Sequence, residues 1–151
     1  MPATSESFEL DPAVMFPLLG SADENLRALE QVLSADVHVR GNVVTLDGAP
    51  SDIVVGKRVL TELAGVVAAG GPVTPDAVRR TVAMLHGGVS ETPAEVLSLD
   101  ILSRRGKTIR PKTLNQKHYV DAIDANTIVF GVGPAGTGKT YLAMAKAVQA
   151  L

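Results

Sequence analysis

Eight residues, Gly133-Pro134-Ala135-Gly136-Thr137-Gly138-Lys139-Thr140, leave the chain around them little choice of fold. The pattern G-x-x-x-x-G-K-[ST] works only between a strand and a helix, because its backbone must turn tightly and then present amide groups at a helix start. Both flanks have the right composition. Residues 127–132 (Thr-Ile-Val-Phe-Gly-Val) form a short β-branched and aromatic run and predict a buried parallel strand. Residues 141–151 hold strong helix formers and neither Gly nor Pro. The expected local fold is strand, glycine loop, helix, the opening unit of an α/β sheet.

The residue types of the loop answer to a triphosphate. Gly133, Gly136 and Gly138 let N–H groups approach phosphate oxygens, and Pro134 fixes φ where the loop begins. Ala135 and Thr137 complete the cradle. Lys139 can reach the β- and γ-phosphates and is the catalytic candidate, while the Thr140 hydroxyl can ligate Mg²⁺. The expected ligands are therefore ATP and Mg²⁺. The competing reading is a Gly-rich turn that only joins a strand to a helix.

The 151 residues hold no cysteine, which excludes a disulfide framework and a thiolate metal site. Glu6, Glu9 and Asp11 stand near the N-terminus where a signal peptide would carry basic residues. No apolar run approaches the roughly 18–20 residues needed to cross a bilayer. A soluble, cytoplasmic protein is expected. Charge is uneven. Residues 1–100 hold 6 Lys/Arg and 14 Asp/Glu, and residues 101–151 hold 8 and 2. Arg104, Arg105, Lys107, Arg110, Lys112 and Lys117 follow one another with no acid among them. That stretch suits either a polyanion-facing segment or a solvated linker.

Ahead of it, residues 1–72 predict an α+β unit. Residues 7–10 alternate like a strand, and Asp11-Pro12 can cap a short helix to Leu19. Gly20 marks a break. Ser21 and Glu24 have capping-box spacing before a helix whose apolar stripe is Ala22, Leu26, Leu29 and Leu33. Residues 37–40 and 43–46 flank Gly41-Asn42 as a hairpin. Ser51 or Asp52 can cap a helix from Ile53 to about Ala69, with Val55, Val59, Leu63 and Val66 inward, ended by Gly70-Gly71-Pro72. A helix capped by Thr74, with Val78, Val82 and Leu85 as its stripe and Gly87-Gly88 past its end, and a linker from Val89 to Leu99 make up residues 73–100. Residues 101–151 begin the nucleotide-binding domain. The helix reaching Leu151 has no cap and no following strand, so the expectation is the N-terminal part of a longer protein. One strand and one helix cannot bury their own faces, which predicts loose packing of residues 101–151 beside a compact unit 1–72.

The block from Lys107 through Thr140 resembles the PhoH-like family, bacterial P-loop ATPases related to superfamily 1 helicases. The first seventy residues look like that family's N-terminal KH-like domain. The resemblance implies a KH-like α+β domain followed by the first strand–loop–helix of an incomplete P-loop NTPase domain. It also implies ATP binding, ATP hydrolysis in the complete protein and a role in RNA metabolism with an RNA or ribonucleoprotein partner; an oligomer at full length is left open. Gln116 lies seventeen residues before Gly133, similar to the spacing of the adenine-reading glutamine in related helicases. Its primary amide can donate to one adenine edge nitrogen while accepting from the amino group; the plain alternative is a polar residue near the start of a helix from about Leu114 to Ile123.

KH domains clamp single strands through a GXXG loop. The matching residues here are Gly20-Ser21-Ala22-Asp23, with an acid in place of the last glycine. Negative charge there opposes phosphate, so an interaction module is favoured over an RNA clamp. The alternative function is thus a KH-like protein- or RNA-interaction module beside an incomplete, non-hydrolysing nucleotide site. His38, His86 and His118 have no paired ligand spacing. Met15, Met84 and Met144 read as packing residues. Asp121 and Asp124 read as solvated helix residues and poor Mg²⁺ ligands.

Overall fold

The computed structural model describes residues 4–86, 92–104 and 107–151. Gly87-Gly88, Val89 and Arg105, which figure in the sequence reading, lie outside the described residues. The chain divides into two compact units, residues 1–94 and 95–151. Its class is α+β.

The first unit is built on a three-stranded antiparallel sheet of β1 (Thr4–Glu9), β2 (Asp36–Arg40) and β3 (Val43–Gly48), ordered β1-β3-β2. Alternation divides its faces. Phe8 pairs with Val44 and Val44 with Val39; Glu6 pairs with Leu46 and Leu46 with Val37. These share one face, on which Val37, Val44 and Leu46 are buried. On the other face the Ser7 and Thr45 hydroxyls lie 2.8 Å apart, and His38 Nε2 lies 3.7 Å from Asp47 Oδ2. The hairpin turn places Gly41 at φ 65° and leaves Asn42 out of the left-handed region, the pattern of a type II′ turn.

Helices cover the apolar face. α1 (Pro12–Leu19) starts where Asp11 accepts from the Ala13 N–H at 2.8 Å, and it runs through Pro17. α2 (Glu24–Val32), α3 (Pro50–Ala68) and α4 (Pro75–His86) follow, with α1 and α4 both packed on α3 and α4 also on α2. Leu18, Leu29, Leu60, Leu63, Val66 and Val78 are fully buried among them. Each such side chain contributes about 1.5–3 kcal/mol when removed from water. The end of α3 matches expectation. Gly70 takes φ 76°, and the Gly70 and Gly71 amides donate to Val67 and Val66 carbonyls at 2.9 and 2.8 Å. Thr74 caps α4, accepting from the Ala77 N–H at 3.2 Å.

Several local expectations are corrected. Ser21 does not cap α2. Residues 21–23 form a 3-10 turn in which Ala22 and Asp23 adopt φ 51° and 57°, so the chain reaches Glu24 without a side-chain cap. The buried face of α2 is accordingly rotated to Asn25, Ala28 and Leu29, with Ala22 exposed. Asn25 is fully buried and donates Nδ2 to the Leu18 and Val73 carbonyls at 3.0 and 3.1 Å. Neither Ser51 nor Asp52 caps α3, which starts earlier, with Pro50 in its first turn and Ala49 as an N-cap that makes no side-chain bond. Within the expected linker, Pro93–Ser98 forms α5, started by its proline with Glu95 in the first turn, and Val96 and Leu97 are buried.

The second unit has a small core. β4 (Leu102–Arg104) and β5 (Lys107–Ile109) make a two-stranded antiparallel ladder within the basic stretch. α6 (Leu114–Ala125) and α7 (Lys139–Gln149) complete the unit. Ile101, Val120, Leu142 and Ala145 are buried together, with Leu102, Ile109 and Tyr119 packed on them. Residues 127–132 form no strand, contrary to the sequence reading. No ladder partner lies beside them among the described residues, and Ile128, Phe130 and Val132 are 74%, 87% and 95% exposed. Met144, expected to pack, is 63% exposed with Tyr141 and Val148 on one stripe of α7, beside the buried stripe of Leu142 and Ala145. So broad an apolar face is suited to more burial than the small core provides. Residues 95–151 nonetheless form a compact unit around this core, against the loose packing expected of residues 101–151, while these apolar side chains stay exposed.

Candidate functional site

α6 is the element that positions the glycine loop of residues 133–138. Thr113 caps it, accepting from the Gln116 N–H at 3.2 Å, while Gln116 Oε1 accepts from the Lys112 N–H at 2.7 Å. This is the reciprocal logic of a capping box, with the returning bond one residue ahead of the cap. The sequence signal for it is Thr113-x-x-Gln116, the spacing of a capping box. The same side chain donates Nε2 to the Thr137 carbonyl at 3.1 Å.

Two glycines allow the chain to run this close to α6. A Cβ at Gly131 would lie 3.1 Å from the Tyr119 ring, and one at Gly138 would lie 3.1 Å from Gln116 Nε2. Tyr119 is a supporting residue that spacing rules did not identify. The signal available was a ring one turn after Gln116 on the same helix face.

The loop itself spans residues 133–138 and delivers the chain into α7. Gly136 and Gly138 take φ 78° and 85°, the left-handed region in which a Cβ is penalised. Gly138 is the N-cap of α7 and makes no side-chain bond there, so the first amides of the helix are left to outside acceptors. Lys139 folds back over the loop: its Nζ lies 2.8 Å from the Gly133 carbonyl oxygen, 2.5 Å from that of Pro134 and 3.1 Å from Thr137 Oγ1. The Thr137 hydroxyl in turn donates to the Pro134 carbonyl at 2.9 Å. Gly133, Pro134, Ala135, Gly136, Thr137 and Thr140 are exposed, and Gly138 and Lys139 are half-buried. The donor set is thus an ammonium, an uncapped helix start and flexible glycine amides, all suited to an anion with several oxygens.

Basic residues around the site are partly engaged. Arg110 pairs with Asp100 at 2.5 Å and Lys117 with Asp121 at 2.6 Å. Asp124 pairs with Lys146 at 2.5 Å, so both aspartates of α6 have cationic partners within the unit. A cleft of about 860 Å³ opens between α6 and α7, lined by residues that include Tyr119, Ile123, Val129, Ala143 and Ala147. Among the described residues no group of three or more His, Cys, Asp or Glu side chains is placed so that it could hold a metal ion. Among them, too, no helix is long and apolar enough to cross a membrane.

A family model described as PhoH-like protein matches residues 108–151, the stretch that carries β5, α6, the loop and α7. The chain is 70% identical over 145 residues to a PhoH-like protein of Mycobacterium tuberculosis, covering 96% of this chain. It belongs to the PhoH-like family. A PhoH-like protein of Bacillus subtilis is 34% identical over 142 residues, covering 93% of the chain. The Protein PhoH of Escherichia coli is 41% identical over 49 residues, 32% of the chain and 14% of that protein. The chain spans 41% of the length of the mycobacterial PhoH-like protein and 44% of the Bacillus one.

Proposed function

We propose that residues 133–140 are the phosphate-binding part of an ATP site, and that the complete protein hydrolyses ATP in a step of RNA metabolism. The observation that carries this reading is the Lys139 ammonium, bent over a loop whose glycines lead into an uncapped helix start. Carbonyl oxygens of Gly133 and Pro134 satisfy that charge within the loop. A triphosphate offers stronger acceptors, so Lys139 exchanges Gly133 and Pro134 for phosphate oxygens while the helix amides hold the same anion. Thr140, exposed on the first turn of α7, supplies a hydroxyl to Mg²⁺, whose chemistry is to screen phosphate charge. Gln116 presents the remaining hydrogen and lone pair of its amide to the adenine edge.

The exposed apolar faces of residues 127–132 and α7 are consistent with a larger parallel sheet, completed by sequence that this chain does not include. The test is Mg²⁺-dependent binding and turnover of ATP, with and without RNA, in a protein of the relatives' full length. Binding should require Lys139. Nucleotide-independent behaviour of both the intact and the Lys139→Ala protein would contradict the reading.

A second reading is supported by the first unit, which has its own core and the element order strand, two helices, two strands, helix expected of a KH-like module. The Gly20–Asp23 turn lies between its two helices, where Asp23 puts a carboxylate on the surface. We infer an interaction module in which that turn does not clamp RNA. Salt-sensitive binding of single-stranded RNA by residues 1–94 would overturn this second reading.

A further inference from the structure

A continuous line of hydrogen bonds runs from the start of α6 to the loop lysine. The Lys112 N–H donates to Gln116 Oε1, Gln116 Nε2 donates to the Thr137 carbonyl, and the Thr137 hydroxyl accepts from Lys139 Nζ. Thr137 is the crossing point, with its carbonyl held from outside the loop and its hydroxyl engaged within it. We propose that Gln116 is a positioning residue for the phosphate loop, acting on the Thr137–Gly138 peptide and hence on any phosphate ligand whatever its base. This rests on the phosphate-binding reading of residues 133–140 and is separate from the adenine role.

The argument is geometric. In a trans peptide the C=O and the following N–H point in opposite directions, and no peptide bond here is cis. Anchoring the Thr137 carbonyl on α6 therefore aims the Gly138 N–H away from α6. Glycine at 138 makes the opposite orientation sterically cheap, because it tolerates both signs of φ. Released from Gln116, the peptide is free to turn its carbonyl toward the phosphate position, replacing a donor by an acceptor. Gln116 holds against that flip through a bond that a one-turn shift of α6 could not make.

The test compares wild type with Gln116→Met, which keeps the side-chain length and removes both amide bonds. Titration calorimetry with Mg²⁺-tripolyphosphate, a ligand with no base, should show affinity reduced on the order of three- to tenfold, the loss expected for one such hydrogen bond. GTP should weaken by the same factor, and ATP by that factor or more, the excess measuring the adenine contact of Gln116. Unchanged tripolyphosphate affinity with a loss confined to ATP overturns the proposal and leaves the nucleotide site standing. Absence of binding to all three ligands by wild type overturns both. The three-bond HN–Hα couplings of Gly138, which report its φ, give a readout independent of binding. They should change in Gln116→Met and in Gln116→Glu, which keeps an acceptor for Lys112, while α6 stays helical. Equal Gly138 couplings in wild type and both variants overturn the proposal.

Discussion

Lys139 places its ammonium 2.8 Å from the carbonyl oxygen of Gly133, across the loop that these two residues bracket. Among the described residues the cation is held by the loop's own acceptors and by no side-chain carboxylate. That relationship gives the loop glycines unequal importance, because they must shape a ring around a charge and also pass close to α6.

Gly138 should tolerate a side chain less well than Gly136. Both have positive φ, so alanine at either position costs roughly 1–2 kcal/mol. At 138 the added Cβ also meets Gln116 Nε2 at 3.1 Å, whereas at 136 it meets open space. Calorimetric affinities for Mg²⁺-ATP should fall further in Gly138→Ala than in Gly136→Ala. The reverse order would show that contact with α6 is unimportant.

The turn between α1 and α2 should be improvable. Asp23 sits at φ 57° with no side-chain cap bond from it, so glycine there removes left-handed strain. Asp23→Gly should stabilise the first unit by about 0.5–1 kcal/mol after the entropy of glycine is counted. A thermal transition at or below the wild-type temperature would contradict this.

The same turn should be intolerant at Gly20. A Cβ there would lie 2.7 Å from Asn25 Nδ2, and φ is 76°. Asn25 in turn satisfies the Leu18 and Val73 carbonyls. Asn25→Ala leaves those acceptors buried without that donor, at a cost of about 1–3 kcal/mol. Gly20→Ala should be at least as harmful in chemical denaturation, and a neutral effect of either change would be inconsistent with the packing described.

How much of this was legible in the sequence depends on whether the deciding partner was local. The hairpin at Gly41-Asn42, the Thr74 and Asp11 caps and the stop at Gly70 rest on bonds within a few residues, and all are present. The Ser21-x-x-Glu24 signature misled because buried Asn25 reaches to Leu18 and Val73, forty-eight residues away in the second case, and the turn winds left-handed around it. Residues 127–132 have strand composition, but a strand requires a neighbour, and among the described residues none stands beside them. Loop residues were identifiable from their pattern; Tyr119 and the outer bonds of Gln116 were not, since they depend on how α6 lies against the loop.

The exposed side chains of the second unit make a prediction about surface, not stability. Phe130 is 87% exposed, so Phe130→Ser should change unfolding free energy by no more than about 0.5 kcal/mol. Binding of a hydrophobic dye should fall, because Phe130 belongs to an uncovered apolar set with Ile128 and Val132. A large loss of stability would mean that Phe130 is buried in solution.

Titration of Mg²⁺-ATP into a protein of the relatives' full length, and into its Lys139→Ala form, decides whether Lys139 is held ready for a triphosphate. Saturable binding by the first and none detectable by the second is expected, with the fold of both unchanged by circular dichroism. Equal affinity in the two proteins would show that Lys139 does not hold the phosphates.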